Sequence, residues 1–145
     1  MLNFNKKNWE YIYNFFAFIL KPPKAEVIRT ADDAVTLTGT AVTVGSIKAR
    51  VCVAETLAEA VNIKPGDILL TYSTDIGWSP YFPLLSGIVT EIGGTVSHGA
   101  VIAREFGIPC LIAVEDVCGY FRTGEWAYLD TKTGTIVKVK EDGEE

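Results

Sequence analysis

The sequence predicts an α/β domain built on mixed sheets with few and short helices, and three observations carry that expectation. Short apolar or alternating runs of strand length recur through most of the chain, separated by glycine, proline and asparagine. The stretches with helical spacing beyond residue 35 are brief. Neither Gly-x-x-x-x-Gly-Lys-Ser/Thr nor Gly-x-Gly-x-x-Gly occurs, which argues against a doubly wound nucleotide-binding sheet. With 145 residues, 48% of them hydrophobic, the chain is long enough for one domain with a substantial core and no disulfide or metal staple.

Residues 1–35 read as an aromatic helix followed by a polar connector. The apolar run Trp9 to Leu20 lies between Lys7 and Lys21 and contains Glu10 and Asn14. It falls short of the roughly 20 apolar residues that a spanning helix needs. No small-x-small cleavage site follows; Lys21-Pro22-Pro23-Lys24 does, and the prolines end any helix. A helix that packs on the domain or on a neighbour is the preferred reading, with a secretory or membrane signal as the alternative.

The domain proper is expected over residues 36–140. From Val35 to Val53 the alternation is that of strands, with Ile47, Ala49, Val51 and Val53 on one face and Lys48 and Arg50 on the other. Glu55 to Val61 reads as a short helix capped by Thr56, with Glu59 at the third helical position. Ile68 to Tyr72, Gly87 to Thr90 and Pro109 to Val114 are compact apolar runs expected as strands. Ser97 to Phe106 should be helical and mostly enclosed, because Ala100, Val101, Ile102, Ala103 and Phe106 cover most of its circumference. Trp126 to Leu129 and Thr135 to Val139 are expected to close the domain as a hairpin, and residues 141–145 form an acidic tail.

Charge and cysteine usage exclude several functions. A net charge of -5 and the absence of a Lys/Arg cluster argue against a nucleic-acid partner. Cys52, Cys110 and Cys118 form no Cys-x-x-Cys pair, and with a single histidine they lack zinc-ligand spacing. They are expected as buried free thiols, which points to a reducing, cytoplasmic setting without a metal site.

The single histidine, His98, lies in Gly93-Gly94-Thr95-Val96-Ser97-His98-Gly99-Ala100, where a glycine turn meets a helix start. The unpaired N–H groups and the dipole of a helix N-terminus place roughly half a positive charge there and attract anions. An unperturbed imidazole titrates near pH ~6.5, so around neutrality its free nitrogen is a competent nucleophile. Gly93 and Gly94 let backbone approach a phosphate, Gly99 leaves space beside the ring, and Ser97 is the natural N-cap. Those glycines also suit plain turn punctuation. Arg104 sits six residues on, roughly 240° round the helix, so it serves either packing within the domain or an interdomain contact. Thr74, Asp75 and Trp78 either pack their loop or line the histidine pocket, where Asp75 is a candidate to orient the imidazole through its second nitrogen.

Together with Gly66-Asp67-Ile68-Leu69-Leu70, Ser73-Thr74-Asp75-Ile76-Gly77-Trp78-Ser79-Pro80, Gly87-Ile88-Val89-Thr90-Glu91 and Gly107-Ile108-Pro109, this stretch resembles the mobile phosphohistidine domain of phosphoenolpyruvate-utilising enzymes. Within that group it is most similar to phosphoenolpyruvate synthase and rifampicin phosphotransferase, over roughly residues 37–139. The resemblance implies a swivelling β/β/α fold and a phosphoryl group accepted by His98. ATP and Mg would be bound on a separate domain of the same or another chain, with no cofactor on this one. It also implies delivery to pyruvate or a small-molecule hydroxyl on an acceptor-binding domain, so that the chain alone completes no turnover. Gly93, Gly94, Ser97, Gly99, Thr74, Asp75 and Arg104 are the phosphate-binding or supporting candidates. Two departures stand out. Val96 replaces the threonine that many synthases and dikinases phosphorylate for regulation, and Thr43-Val44-Gly45 replaces a frequent Ser-Pro-Gly. A non-catalytic interaction module that keeps the fold is the alternative.

Overall fold

A computed structural model describes residues 28–29 and 35–140. The aromatic segment 9–20 and the acidic tail 141–145 lie outside the described residues. Within the expected connector, β1 (Ile28–Arg29) pairs antiparallel with β2 (Val35–Thr38), so strand structure begins before the domain boundary anticipated at residue 36.

The remaining strands are β3 (Thr40–Ala41), β4 (Ser46–Val53), β5 (Ile68–Thr71), β6 (Gly87–Thr90), β7 (Cys110–Ile112), β8 (Trp126–Asp130) and β9 (Thr135–Val139). They form one mixed sheet in the order β1-β2-β9-β8-β4-β5-β6-β7-β3. Strand β4 is the junction. Its first half, Ser46 to Arg50, pairs antiparallel with β8, while Val51 to Val53 pair parallel with β5. Strands β5, β6 and β7 continue the parallel half, and β8 and β9 make the expected hairpin in the antiparallel half.

The parallel strands separate two cores, which explains why they read as uninterrupted apolar runs. Ile68, Leu70, Val89 and Leu111 face one core with Ala49, Val51, Val117 and Phe121, and Ile47 and Val53 pack on it as their alternation predicted. Leu69, Ile88, Cys110 and Ile112 face the other with Cys52, Trp78, Phe82 and Ala103. Helix α1 (His98–Phe106) and a 3₁₀ segment (Ile76–Leu84) cover that second face. The short helix α2 (Val117–Tyr120) covers the first.

Some local expectations needed correction. The helix anticipated at Glu55 to Val61 is a 3₁₀ turn over Glu59–Asn62. Thr56 Oγ1 accepts from Glu59 N at 3.4 Å, and the Glu59 carboxylate accepts from Glu55 N at 2.7 Å, so the two side chains bracket the turn as in a capping box. Nothing in the sequence pattern announced α2, which follows Ala113 and Asp116, both at left-handed φ (59° and 60°). Asp tolerates that region through local polar contacts, whereas Ala bears a cost of about 1 kcal/mol there. At the sheet junction Arg50 donates to the Asp67 carboxylate, which also accepts from Lys64 N at 2.8 Å. Burial raises the Asp67 carboxyl, and the Lys64 N–H and Arg50 pull it back only in part.

Glu91, just beyond β6, receives the Cys118 backbone N–H at 3.1 Å and ties the parallel sheet to α2. Burial pushes its carboxyl above the usual value; the Cys118 N–H opposes this, while Asp116 and Glu55 add to it. The folded chain therefore takes up this proton at higher pH than the unfolded chain does. The resulting stability is complete below the ordinary glutamate value of about 4.3 and is lost as pH rises through the folded value. Glu91→Gln, which keeps an acceptor without the charge, is expected to raise Tm at neutral pH and flatten this part of the pH dependence. Thermal denaturation across mildly acid to neutral pH checks this; a lower Tm for the variant at neutral pH would contradict it.

Candidate functional site

The site forms where β6 ends, the chain turns through residues 91–97, and α1 begins. Gly93 has φ +139°, a conformation open to glycine. A Cβ there would stand 3.2 Å from Ser97 Oγ and 3.5 Å from Thr90 Oγ1, so the turn closes tightly over the serine hydroxyl and in ordinary contact with the threonine's. Gly94 is exposed and faces open space: a Cβ added to it would meet nothing within 4 Å. The Ser97 N–H donates to Gly94 O at 3.0 Å and Val101 N donates to Ser97 O at 3.0 Å, which sets the first turn of the helix. Ser97 is the N-cap by backbone conformation, yet its hydroxyl makes no capping bond, contrary to expectation. At the other end Gly107, at φ 67°, stops the helix.

The buried side of α1 is made of small residues. Gly99, Ala100 and Ala103 are buried, while Val101 and Phe106 are 42% and 50% exposed. The helix is thus enclosed along one stripe rather than around most of its circumference.

His98 is the first residue of α1 and is half-buried. Its ring tilts over Phe82, with centroids 5.5 Å apart and planes at 42°. The Nδ1 atom is sealed in the protein without a hydrogen-bond partner. Nε2 is not sealed in this way, so it is the ring nitrogen left on the open side. An imidazole so held presents one nitrogen to an incoming group at the electropositive end of a nine-residue helix.

The other predicted residues fall into place unevenly. Thr74 comes to the histidine's neighbour: a Cβ on Gly99 would meet Thr74 Oγ1 at 2.8 Å. Gly99 accordingly admits the threonine hydroxyl rather than leaving the ring's surroundings open. Asp75 is exposed and caps the 3₁₀ segment, its Oδ1 accepting from Gly77 N at 2.9 Å. It does not orient the ring, since Nδ1 has no partner. Trp78 is buried in the second core. The Arg104 guanidinium reaches back to donate to Thr95 O, bracing the glycine turn from behind. Val96, two residues before His98, is 85% exposed.

Phe82 and Thr90 are site residues that sequence reasoning missed. Thr90 carried a readable signal, a polar residue closing a strand buried on both faces; Phe82 carried none. Burial raises all three cysteine thiols, Cys110 to about 12 despite a small opposing pull from Arg104, so they offer no thiolate at neutral pH. Among the described residues no group of three His, Cys, Asp or Glu gathers at metal-binding distance, and no helix is long and apolar enough to cross a membrane.

A mixed sheet with a parallel half, covered by a histidine-headed helix, defines a swivelling β/β/α domain. Residues 63–134 match the family described as PEP-utilising enzyme, mobile domain, and the chain belongs to that family. It is 38% identical over 120 residues to the prodigiosin synthesizing transferase PigC of Serratia marcescens, covering 81% of this chain and 13% of PigC. It is 45% identical over 89 residues to the rifampicin phosphotransferase of Streptomyces sviceus (61% of this chain, 10% of that protein). With the phosphoenolpyruvate synthase of Aeropyrum pernix it shares 35% over 130 residues (86% and 16%). The chain thus spans between 10% and 16% of these relatives' lengths. Among solved structures, the holo-form aconitase X of Thermococcus kodakaraensis shares the fold at TM-score 0.57 and 16% identity, covering 72% of this chain and 98% of that one.

The Thr74–Gly99 approach yields a direct test. Gly99→Ala is expected to lose about 1–2 kcal/mol, because overpacking outweighs the ~1 kcal/mol that alanine ordinarily gains over glycine in a helix. Adding Thr74→Ala should recover part of the loss. Urea denaturation of the four-member cycle measures it, and strictly additive effects would show that the two residues are not in contact.

Proposed function

We propose that this domain is a phosphohistidine carrier, taking a phosphoryl group from ATP on a separate domain and passing it to an acceptor on another. The observation that carries the reading is the ring of His98, sealed at Nδ1 and open at Nε2, at the head of α1. The Nε2 lone pair forms a bond to phosphorus as the bond from phosphorus to the donor oxygen breaks, its electron pair leaving with that oxygen. The phosphoryl charge then lies near the unpaired N–H groups of the first helical turn. In the second half an acceptor oxygen attacks phosphorus and the N–P electron pair returns to Nε2. A nitrogen leaving group suits a carrier that loads and unloads at different sites.

Each supporting residue has a part in this reading. Gly94, exposed and uncrowded, lets the turn backbone approach phosphate oxygens. Gly93 and Arg104 hold that turn in place, and Ser97 Oγ, free of any capping bond, is available to the phosphoryl group. Asp75 shapes the neighbouring 3₁₀ segment that carries Phe82. ATP and Mg belong to the donor domain, and the enzyme as a whole is an ATP-dependent phosphotransferase acting in the cytoplasm. The relatives named for rifampicin phosphotransfer and phosphoenolpyruvate synthesis support an acceptor that is a small-molecule hydroxyl or pyruvate.

The test mixes the full chain with ATP-binding domains taken from such relatives and ATP labelled at the β- or γ-phosphate. Acid-labile, base-stable label is expected on the native chain and none on His98→Ala. Absence of label with several competent donors would contradict the carrier and favour an interaction module.

A further inference from the structure

The antiparallel half of the sheet has one face that neither core uses. Ala127, Leu129 and Ile136 face the first core, so Trp126 and Tyr128 on β8 and Val137 and Val139 on β9 point the other way. In register Tyr128 stands opposite Val137 and Trp126 opposite Val139, which joins the four side chains into one patch. On that side of the sheet α1 and the 3₁₀ segment Ile76–Leu84 pack on the parallel half. The four residues belong to neither core; Tyr128 is 40% exposed and the other three are half-buried.

The patch lies beside the strand from which the N-terminal segment departs. Strand β1 is the end of the sheet on this half, in the order β1-β2-β9-β8-β4. The connector 21–27 that precedes Ile28 has seven residues and spans at most roughly 25 Å. Strand β8 stands three places from β1, roughly 14 Å at ordinary strand spacing. Strands β6 and β7, on which α1 lies, stand six and seven places away, roughly 29 and 34 Å, beyond the reach of that connector.

The segment also has the chemistry to fill such a patch. Residues 9–20 lie outside the described residues, but their spacing as a helix is explicit. Glu10, Asn14 and Lys21 fall at i, i+4 and i+11 and make one polar stripe. Ile12, Phe15, Phe16 and Ile19 fall on the opposite side. A helix of this kind needs an apolar surface to cover it, and the sheet face needs an apolar cover. We infer that residues 9–20 dock as a helix, through the Ile12 and Phe16 side, on the face formed by Trp126, Tyr128, Val137 and Val139. The segment thereby completes the domain on the antiparallel half, at the other end of the sheet from α1 and His98.

Disulfide capture in the full chain tests this. Tyr128→Cys is combined in turn with Ile12→Cys, Phe16→Cys or Asn14→Cys, and Phe16→Cys is also combined with Val61→Cys. Val61 is 73% exposed on the 3₁₀ turn between β4 and β5 and stands for tethering without docking. The native cysteines are buried or half-buried, with thiols raised by burial, so they compete poorly. Bonds within one chain from Ile12→Cys or Phe16→Cys to Tyr128→Cys should form at least about tenfold faster than the Val61 pair, because docking raises the local concentration above that of the tether. The Asn14 pair should form as slowly as the Val61 pair, and adding Ile12→Asp to the Phe16 and Tyr128 pair should abolish its advantage. Equal rates to Tyr128 and Val61 would overturn the inference and place the segment elsewhere. Disulfides that join two chains would overturn it in favour of a second copy seated on the face.

Discussion

The site depends on how closely helix α1 can approach the parallel half of the sheet. Gly99, Ala100 and Ala103 form the stripe that makes this contact, and a single added methyl at Gly99 would collide with Thr74. Because the helix is seated by its small residues, its first residue has little freedom. His98 is thereby fixed over Phe82 with one nitrogen inside the protein and one outside. Interiors pack too densely to absorb even one extra carbon without displacement, so the register of the helix and the orientation of the ring are one constraint.

That constraint is supported from both faces of the sheet. Strands β5 to β7 are buried on each side, which makes the platform under α1 rigid, and β4 ties it to the antiparallel half through its two pairing modes. The turn before the helix is held by Gly93 and by Arg104, whose guanidinium bonds a carbonyl nine residues earlier. The exposed surface near the histidine is apolar at Val96, so a phosphorylation at that position has no hydroxyl to use.

The sequence made some of this legible and hid the rest for physical reasons. His98, Gly93 and the helix start could be read because they are local: a unique side chain, a turn residue and a short apolar run. The strands were readable because burial on both faces leaves uninterrupted Ile, Leu and Val. What failed was contact between distant segments. Angular spacing on a wheel put Arg104 away from His98 and could not show that it reaches Thr95. Asp75 looked like a ring partner, but its carboxylate is taken by Gly77 two residues on. Gly99 looked like open space until Thr74 arrived from another loop, and Phe82 meets the histidine only through the fold. The extent of helix burial was overestimated because a wheel counts apolar residues without knowing how many faces have neighbours.

The chain spans only a small part of the length of its relatives, and the chemistry proposed for it concentrates on one nitrogen. The most direct measurement locates the phosphoryl group on the full chain after reaction with phosphoramidate, a chemical donor that needs no partner domain, using ³¹P and ¹⁵N magnetic resonance. A single adduct with phosphorus bonded to Nε2 of His98 is expected. Phosphorus on Nδ1, or no adduct at His98 in the folded protein, would contradict it.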